Sequence, residues 1–234
     1  MSSADGAGGV GRVLVTGGSS GLGLAIARAV EREGGRPLVL DLAPPPFAVD
    51  HELVDLADTR SAEAATGRLA ERAGGLDGLV TAAGIDRPGR LADLAATDWE
   101  RIVAVNLLGT AAVVRAALPH LERSGGRVVT VASTLGLRAV SDATAYCASK
   151  FGVVGFTRAL AAELAGTVGV TLLVPGGMRT AFFDDREERY RPPPDARLNR
   201  PEDVAEAALF ALRQPAGCEV RELVVAAATE SSWP

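Results

Sequence analysis

Residues 12–33 read RVLVTGGSSGLGLAIARAVERE. An apolar run of strand length, 12–16, meets a Gly/Ser turn that opens an alanine-rich stretch with helical spacing over 21–33. A strand that delivers a tight turn straight onto a helix N-terminus aims backbone N–H groups and the helix dipole at one point, which suits a pyrophosphate. Gly17, Gly21 and Gly23 free that turn, and the loop takes in Ser19, Ser20 and Leu22 with them. A literal G-x-G-x-x-G also occurs at Gly6, Gly8 and Gly11, but no strand delivers it and no helix begins on it, so it is set aside. Asp41 closes the second apolar run, 24 residues beyond Gly17. An acid there accepts hydrogen bonds from ribose hydroxyls and repels a 2′-phosphate, which favours NAD over NADP.

Outward from this unit, strand-like runs at 37–41, 52–55, 78–82, 127–131, 170–174 and 222–225 alternate with helical stretches at 61–73, 98–122, 143–165 and 201–213. Thr97 or Asp98 is placed to cap the second of these helices. Such alternation predicts an α/β chain with a doubly wound, parallel, seven-stranded sheet and helices on both faces. No linker divides the chain, so 1–234 reads as one domain with a flexible start at 1–11. The polar, Pro-rich segment 176–200 is too long for an ordinary connection and reads as a lid over a binding site.

The formal charge of -5 gives no footprint for nucleic acid. No uninterrupted apolar run approaches the ~20 residues that span a bilayer, and the first residues lack a basic or apolar leader, so a cytoplasmic, membrane-free setting is expected. Two cysteines, Cys147 and Cys218, match neither a disulfide framework nor a metal site. No metal is expected. Cys147 reads as a packing residue. Arginine supplies every positive side chain but one, Lys150.

In order along the chain, TGGSSGLG (16–23), Asn106, Ser133 and YCASK (146–150) resemble the motifs of the short-chain dehydrogenase/reductase family, with Asn106, Ser133 and Tyr146 separated by 27 and 13 residues. The resemblance implies a single-domain Rossmann fold. It also implies catalytic roles for Asn106, Ser133, Tyr146 and Lys150, with Asn106 holding a water between Lys150 and solvent. Asp55 and Leu56 resemble the family's adenine-side pair, and Ala83 and Gly84 the end of its post-β4 turn. Pro175, Gly176 and Thr180 resemble the segment facing the nicotinamide carboxamide, and a homotetramer or homodimer built on the two long helices is implied as well. One departure stands out: Thr81-Ala82 occupies the place of the family's paired asparagines, so whatever those amides bind must be held differently.

Tyr146 and Lys150 are four residues apart on a helix, hence on one face. A phenol normally ionises near 10, and a cation at about 4 Å supplies on the order of 4 kcal/mol at an effective dielectric of about 20, enough to move it toward neutrality. Lys150 is therefore expected to lower the Tyr146 pKa, leaving Tyr146 as general acid/base. Ser133 is placed to donate to the substrate oxygen. These residues predict an NAD-dependent oxidoreductase moving a hydride between nicotinamide and a small secondary alcohol or ketone. A 3-oxoacyl-thioester or polyketide-type ketoreductase is the alternative on the same fold, and a catalytically silent nucleotide-binding protein the alternative outside enzymes. The lid arginines Arg186, Arg189 and Arg191 read as a solvated charge run, the alternative being that they meet an acidic substrate group. Trp233 reads as a contact to a neighbouring subunit or part of a frayed tail.

Overall fold

The computed structural model describes residues 9–230, 232 and 233. Alternation along the first strand sets the two layers. In β1 (Arg12–Thr16), Leu14 faces one side of the sheet and Val13 and Val15 the other, as strand geometry requires. Leu14, Leu38 and Leu79 join Leu69, Val113 and Leu160 in one core, whereas Val13, Val15 and Val39 join Ile26, Val30 and Leu209 in the second.

The strands are β1, β2 (Arg36–Asp41), β3 (Asp50–Leu53), β4 (Gly78–Thr81), β5 (Arg127–Val131), β6 (Gly169–Pro175) and β7 (Glu222–Val225). All pair in parallel, in the order β3-β2-β1-β4-β5-β6-β7. Helices α1 (Gly21–Arg32) and α6 (Pro201–Leu212) cover the Val13 face. The opposite face takes α2 (Thr59–Ala73), α4 (Thr110–Ser124) and α5 (Thr144–Glu163), with α3 (Ala96–Val103) leading into α4. This is the doubly wound parallel sheet that the sequence predicted. Its order reverses between β1 and β4, and in such sheets the crevice for a ligand opens there, at the carboxyl ends of the strands.

Three local features differ from the sequence reading. β3 begins two residues earlier than its apolar residues indicate, because pairing with β2 sets Leu38 opposite Asp50 and Asp41 opposite Leu53. Val54 and Leu56 are then buried beyond the strand end. The cap of α3 is Ala95, with extended backbone, and Thr97 and Asp98 lie inside the first turn. Asp98 there suits the helix dipole and pairs with Arg87 at 3.2 Å. Between α3 and α4, residues Ala104–Gly109 form a π turn that contains Asn106. The continuous helical run Ala96–Ser124 does hold an 18-residue window apolar enough, by composition, to cross a membrane; half of that window is buried in the fold.

Gly6 and Gly8 of the rejected glycine motif lie outside the described residues. Gly11, its last member, sits at φ +73° before β1, where a Cβ would strike the Asp77 side chain. It is a turn glycine at the sheet end away from the crevice.

Candidate active site

The glycine turn leaves β1 with the Gly17 amide donating to the Leu40 carbonyl at 2.9 Å. Gly17 has φ +71°, and a Cβ on it would lie 2.8 Å from the Ala83 Cα; a Cβ on Gly23 would lie 2.1 Å from the Gly17 carbonyl oxygen. Glycine is therefore required twice, once for the turn and once for its closure onto α1. Ser20 caps α1 without a side-chain hydrogen bond, so the first amides of the helix remain available to a ligand at the crevice. Asp41 ties this turn down: its carboxylate accepts from the Ser19 amide at 2.9 Å and the Ala43 amide at 3.2 Å, while the Ser19 hydroxyl donates to the Ala43 carbonyl at 2.6 Å.

A cavity of about 1010 Å³ opens above the strand ends. Of the residues singled out in the sequence, Gly17, Ser20, Gly21, Leu22, Gly23, Ala83, Gly84, Ser133, Tyr146, Lys150, Pro175, Gly176 and Thr180 line it. Ser19, Asp41, Asp55, Leu56 and Asn106 do not. Asp55 instead accepts from the Ala57 amide at 2.9 Å and pairs with Arg101 at 2.9 Å, and Leu56 is packed in the core.

Tyr146 and Lys150 project from one face of α5 into the cavity, with the Lys150 ammonium 5.7 Å from the centre of the tyrosine ring. Its Nζ donates to the Val131 carbonyl at 2.9 Å, at the end of β5. Gly136 permits the Ser133 segment to lie on α5, since a Cβ there would sit 2.8 Å from the Lys150 carbonyl. Burial pushes the Tyr146 phenol up to about 12; a hydrogen bond with Ser133 and the Arg186 charge pull it back, and Asp86 pushes it further up. The expected lowering of this phenol by Lys150 is thus not met. Burial outweighs the hydrogen bond and the nearby cation, and the ammonium is engaged by the strand carbonyl. Burial also pushes Lys150 down to about 8, with Asp86 offsetting part of that.

Asn106 stands behind the wall as a clamp. Its Oδ1 accepts from the Ile85 amide at 2.8 Å, and its Nδ2 donates to the Ile85 carbonyl at 2.9 Å and to the Ser149 hydroxyl at 3.0 Å. Ser149 in turn donates to the Tyr146 carbonyl at 2.8 Å. The turn after β4, which lacks the two amides, is held by this clamp and by the Thr16 hydroxyl, which accepts from the Ala83 amide at 3.1 Å. Thr81 leaves its buried hydroxyl without a partner among the described residues.

Sequence reasoning missed Asp86 and misread Arg186. Arg186 is not solvated: it pairs with Asp86 at 2.8 Å, and its guanidinium lies 4.9 Å from the centre of the Phe182 ring and 4.6 Å from that of Phe183. Arg189 pairs with Glu187 at the surface, and Arg191 donates to the Asp184 and Arg186 carbonyls. The signal for Asp86 was a single acid in the otherwise apolar stretch TAAGID. Glu230 was also missed: its Oε2 accepts from the Gly177 amide at 2.9 Å, and the neighbouring Ser232 hydroxyl meets that of Thr134 at 2.7 Å. Ser231 and Pro234 lie outside the described residues, and Trp233 is partly buried. Cys147 is buried on α5, as a packing residue should be.

The short chain dehydrogenase family model matches residues 11–191. D-threitol dehydrogenase of Mycolicibacterium smegmatis is 35% identical over 217 residues, covering 84% of this chain and 84% of the relative. A putative ketoacyl reductase of Streptomyces coelicolor is 38% identical over 193 residues, covering 76% and 74%. Among solved structures, the alcohol dehydrogenase of Thermococcus sibiricus complexed with 5-hydroxy-NADP superimposes with a TM-score of 0.82 at 26% identity, covering 92% of this chain and 95% of that one. The chain belongs to the short-chain dehydrogenase family of oxidoreductases, whose members bind a nicotinamide cofactor.

Proposed function

We propose that this protein is an NAD-dependent oxidoreductase acting between secondary alcohols and ketones, with Tyr146 as the proton-transferring residue. The observation that carries this reading is that Tyr146, Ser133 and Lys150 line the same cavity as the glycine turn of α1. The turn suits a dinucleotide because Gly17 and Gly23 keep it closed where a Cβ would not fit, and the first amides of α1 have no side-chain cap. Asp41, at the end of β2 beside that turn, supports NAD over NADP, since a fixed carboxylate there disfavours a 2′-phosphate. When bound, the oxidised nicotinamide supplies a hydride acceptor and a positive charge.

The residues' tasks follow from their chemistry. Ser133, hydrogen-bonded to the phenol, orients it and donates to the substrate oxygen as charge grows there. In its ionised form Tyr146 takes the carbinol proton at Oη during oxidation, and as the neutral phenol it gives a proton to the carbonyl oxygen during reduction. A phenol near 12 is a poor base at neutral pH, so each cation brought near it improves the fit to that task. Lys150 is placed to bind ribose hydroxyls with whatever donors Val131 leaves free. Asn106 keeps the turn after β4 and, through Ser149, the start of α5 in register. Exposed Leu108 and Phe151 on the two long helical segments support self-association into a dimer or tetramer.

The resemblance to a putative ketoacyl reductase favours one second reading, a 3-oxoacyl-thioester ketoreductase. Parallel NADH and NADPH titrations followed by a panel of secondary alcohols and ketones test both. Tighter NADH binding with alcohol oxidation is expected. Tighter NADPH binding with oxoacyl reduction favours the second reading, and NADH binding without turnover of any panel member overturns the enzyme assignment.

A further inference from the structure

The segment after β7 returns to the cavity and lines it through Thr229, Glu230 and Ser232. A turn closes there, the Glu230 amide donating to the Ala227 carbonyl at 2.8 Å. Its carboxylate meets the loop that follows β6: Oε2 accepts from the Gly177 amide at 2.9 Å. Glycine at 176 makes room for this contact, since a Cβ there would lie 2.6 Å from the same oxygen. Oε1 accepts from the Ser232 amide at 3.2 Å and from the Ser232 hydroxyl at 2.7 Å. The Ser232 hydroxyl also meets that of Thr134 at 2.7 Å.

The direction of this relay follows from the groups in it. A carboxylate only accepts, so the Ser232 hydroxyl gives its proton to Glu230 and must accept from Thr134. The chain thus ends on a charge, the arrangement in which hydrogen bonds are strongest, and it joins the walls of the cavity at the ends of β5 and β6. Thr134 is 2% exposed, so its hydroxyl needs such a partner. It opens the short turn Thr134–Gly136, whose cap is Ser133, with Ser133 Oγ accepting from the Leu135 amide at 3.1 Å. Two hydrogen bonds therefore connect the Glu230 carboxylate to the residue beside Ser133.

We infer that Glu230 is a positioning residue, whose carboxylate acts through Ser232 and Thr134 to fix the turn that carries Ser133. The inference rests on the oxidoreductase reading above, in which Ser133 donates to the substrate oxygen as charge grows there, and deepens it. A serine displaced from that oxygen in the transition state slows the chemical step and leaves cofactor binding as it was.

The test is the single-turnover rate of hydride transfer to NAD and to NADP, read as the appearance of the reduced cofactor, with the best secondary alcohol of the panel at saturation. Ser232→Ala breaks the relay in the middle and leaves the Gly177 contact in place. A hydrogen bond to a charged group is worth roughly 10- to 100-fold, so the rate should fall about tenfold or more while the dissociation constant of the reduced cofactor stays within about twofold. Glu230→Gln should slow the step as well, because an amide cannot accept on both sides. Ser232→Thr keeps the hydroxyl and should bring the rate back to within about twofold of the wild type. Ser232→Ala combined with Thr134→Val should be no more than about twofold slower than the slower single variant, because members of one network do not add. Fluorescence titration with the reduced cofactor counts competent molecules, so rates are compared per site; if Ser232→Ala or Glu230→Gln binds none, the other decides. A wild-type rate in either, or losses that add in the double variant alongside weakened cofactor binding, overturns the positioning role and leaves the oxidoreductase reading standing. A wild type that turns over no panel member with either cofactor overturns both.

Discussion

Replacing Asn106 with alanine should destabilise the protein as well as impair it. The side chain is 1% exposed and makes three hydrogen bonds, two of them to the Ile85 peptide groups. Alanine leaves the Ile85 N–H and C=O without their partner, at about 1–3 kcal/mol for each buried group. Ile85 is only partly buried, so water recovers some of that, and a net loss of about 3 kcal/mol is expected. For a chain of this size the loss corresponds to a fall in Tm on the order of 6–12 °C. Ser149→Ala is the matched comparison. It removes one of the three bonds and leaves the Ile85 clamp intact, so it should cost about 1 kcal/mol. Urea unfolding followed by circular dichroism, with equal slopes for all three proteins, gives the difference directly. Equal losses in Asn106→Ala and Ser149→Ala would refute the claim that this asparagine holds the turn in place of the missing amides.

Two further outcomes follow from the same geometry. Gly23→Ala places a Cβ 2.1 Å from the Gly17 carbonyl oxygen, which belongs to the backbone of the same turn and cannot swing aside. NADH affinity, read by fluorescence titration, should drop at least about tenfold despite the better helix propensity of alanine; unchanged affinity would contradict the closed-turn account. Lys150 is depressed to about 8 from an ordinary value of 10.5, so the unfolded chain holds this proton more tightly than the folded one. Its contribution is present in full above 10.5 and is lost as pH falls through 8. The stability of the wild type relative to Lys150→Met should therefore rise by about 3 kcal/mol between pH 7 and 11, and a flat difference would show that the lysine is not buried in charged form.

Local chemistry made most of the scaffold legible. The strand at 12–16, its glycine turn and the alternation of Val13, Leu14 and Val15 are properties of neighbouring residues, and the β7 strand at 222–225 falls where its apolar run does. β3 was displaced because hydrophobicity marks burial, and Val54 and Leu56 are buried after the strand has ended. The π turn around Asn106 has no local mark, because its registry is set by contacts with Ile85 and Ser149 that lie 21 and 43 residues away. The same holds for Arg186. Amid DDREER it has the composition of a solvated face, and only the fold brings Asp86 beneath it. The helical spacing of Tyr146 and Lys150 was readable, but the phenol's pKa was not, since it depends on how deeply Phe182 and the rest of the fold bury it.

The central claim is that Tyr146 carries the proton. Tyr146→Phe retains the ring that packs on Phe182 and removes only the hydroxyl that meets Ser133. With the best substrate from the alcohol and ketone panel, kcat/KM should fall by about 10³-fold, and the NADH dissociation constant should stay within about threefold of the wild type. A variant that keeps turnover within tenfold of the wild type would contradict the account.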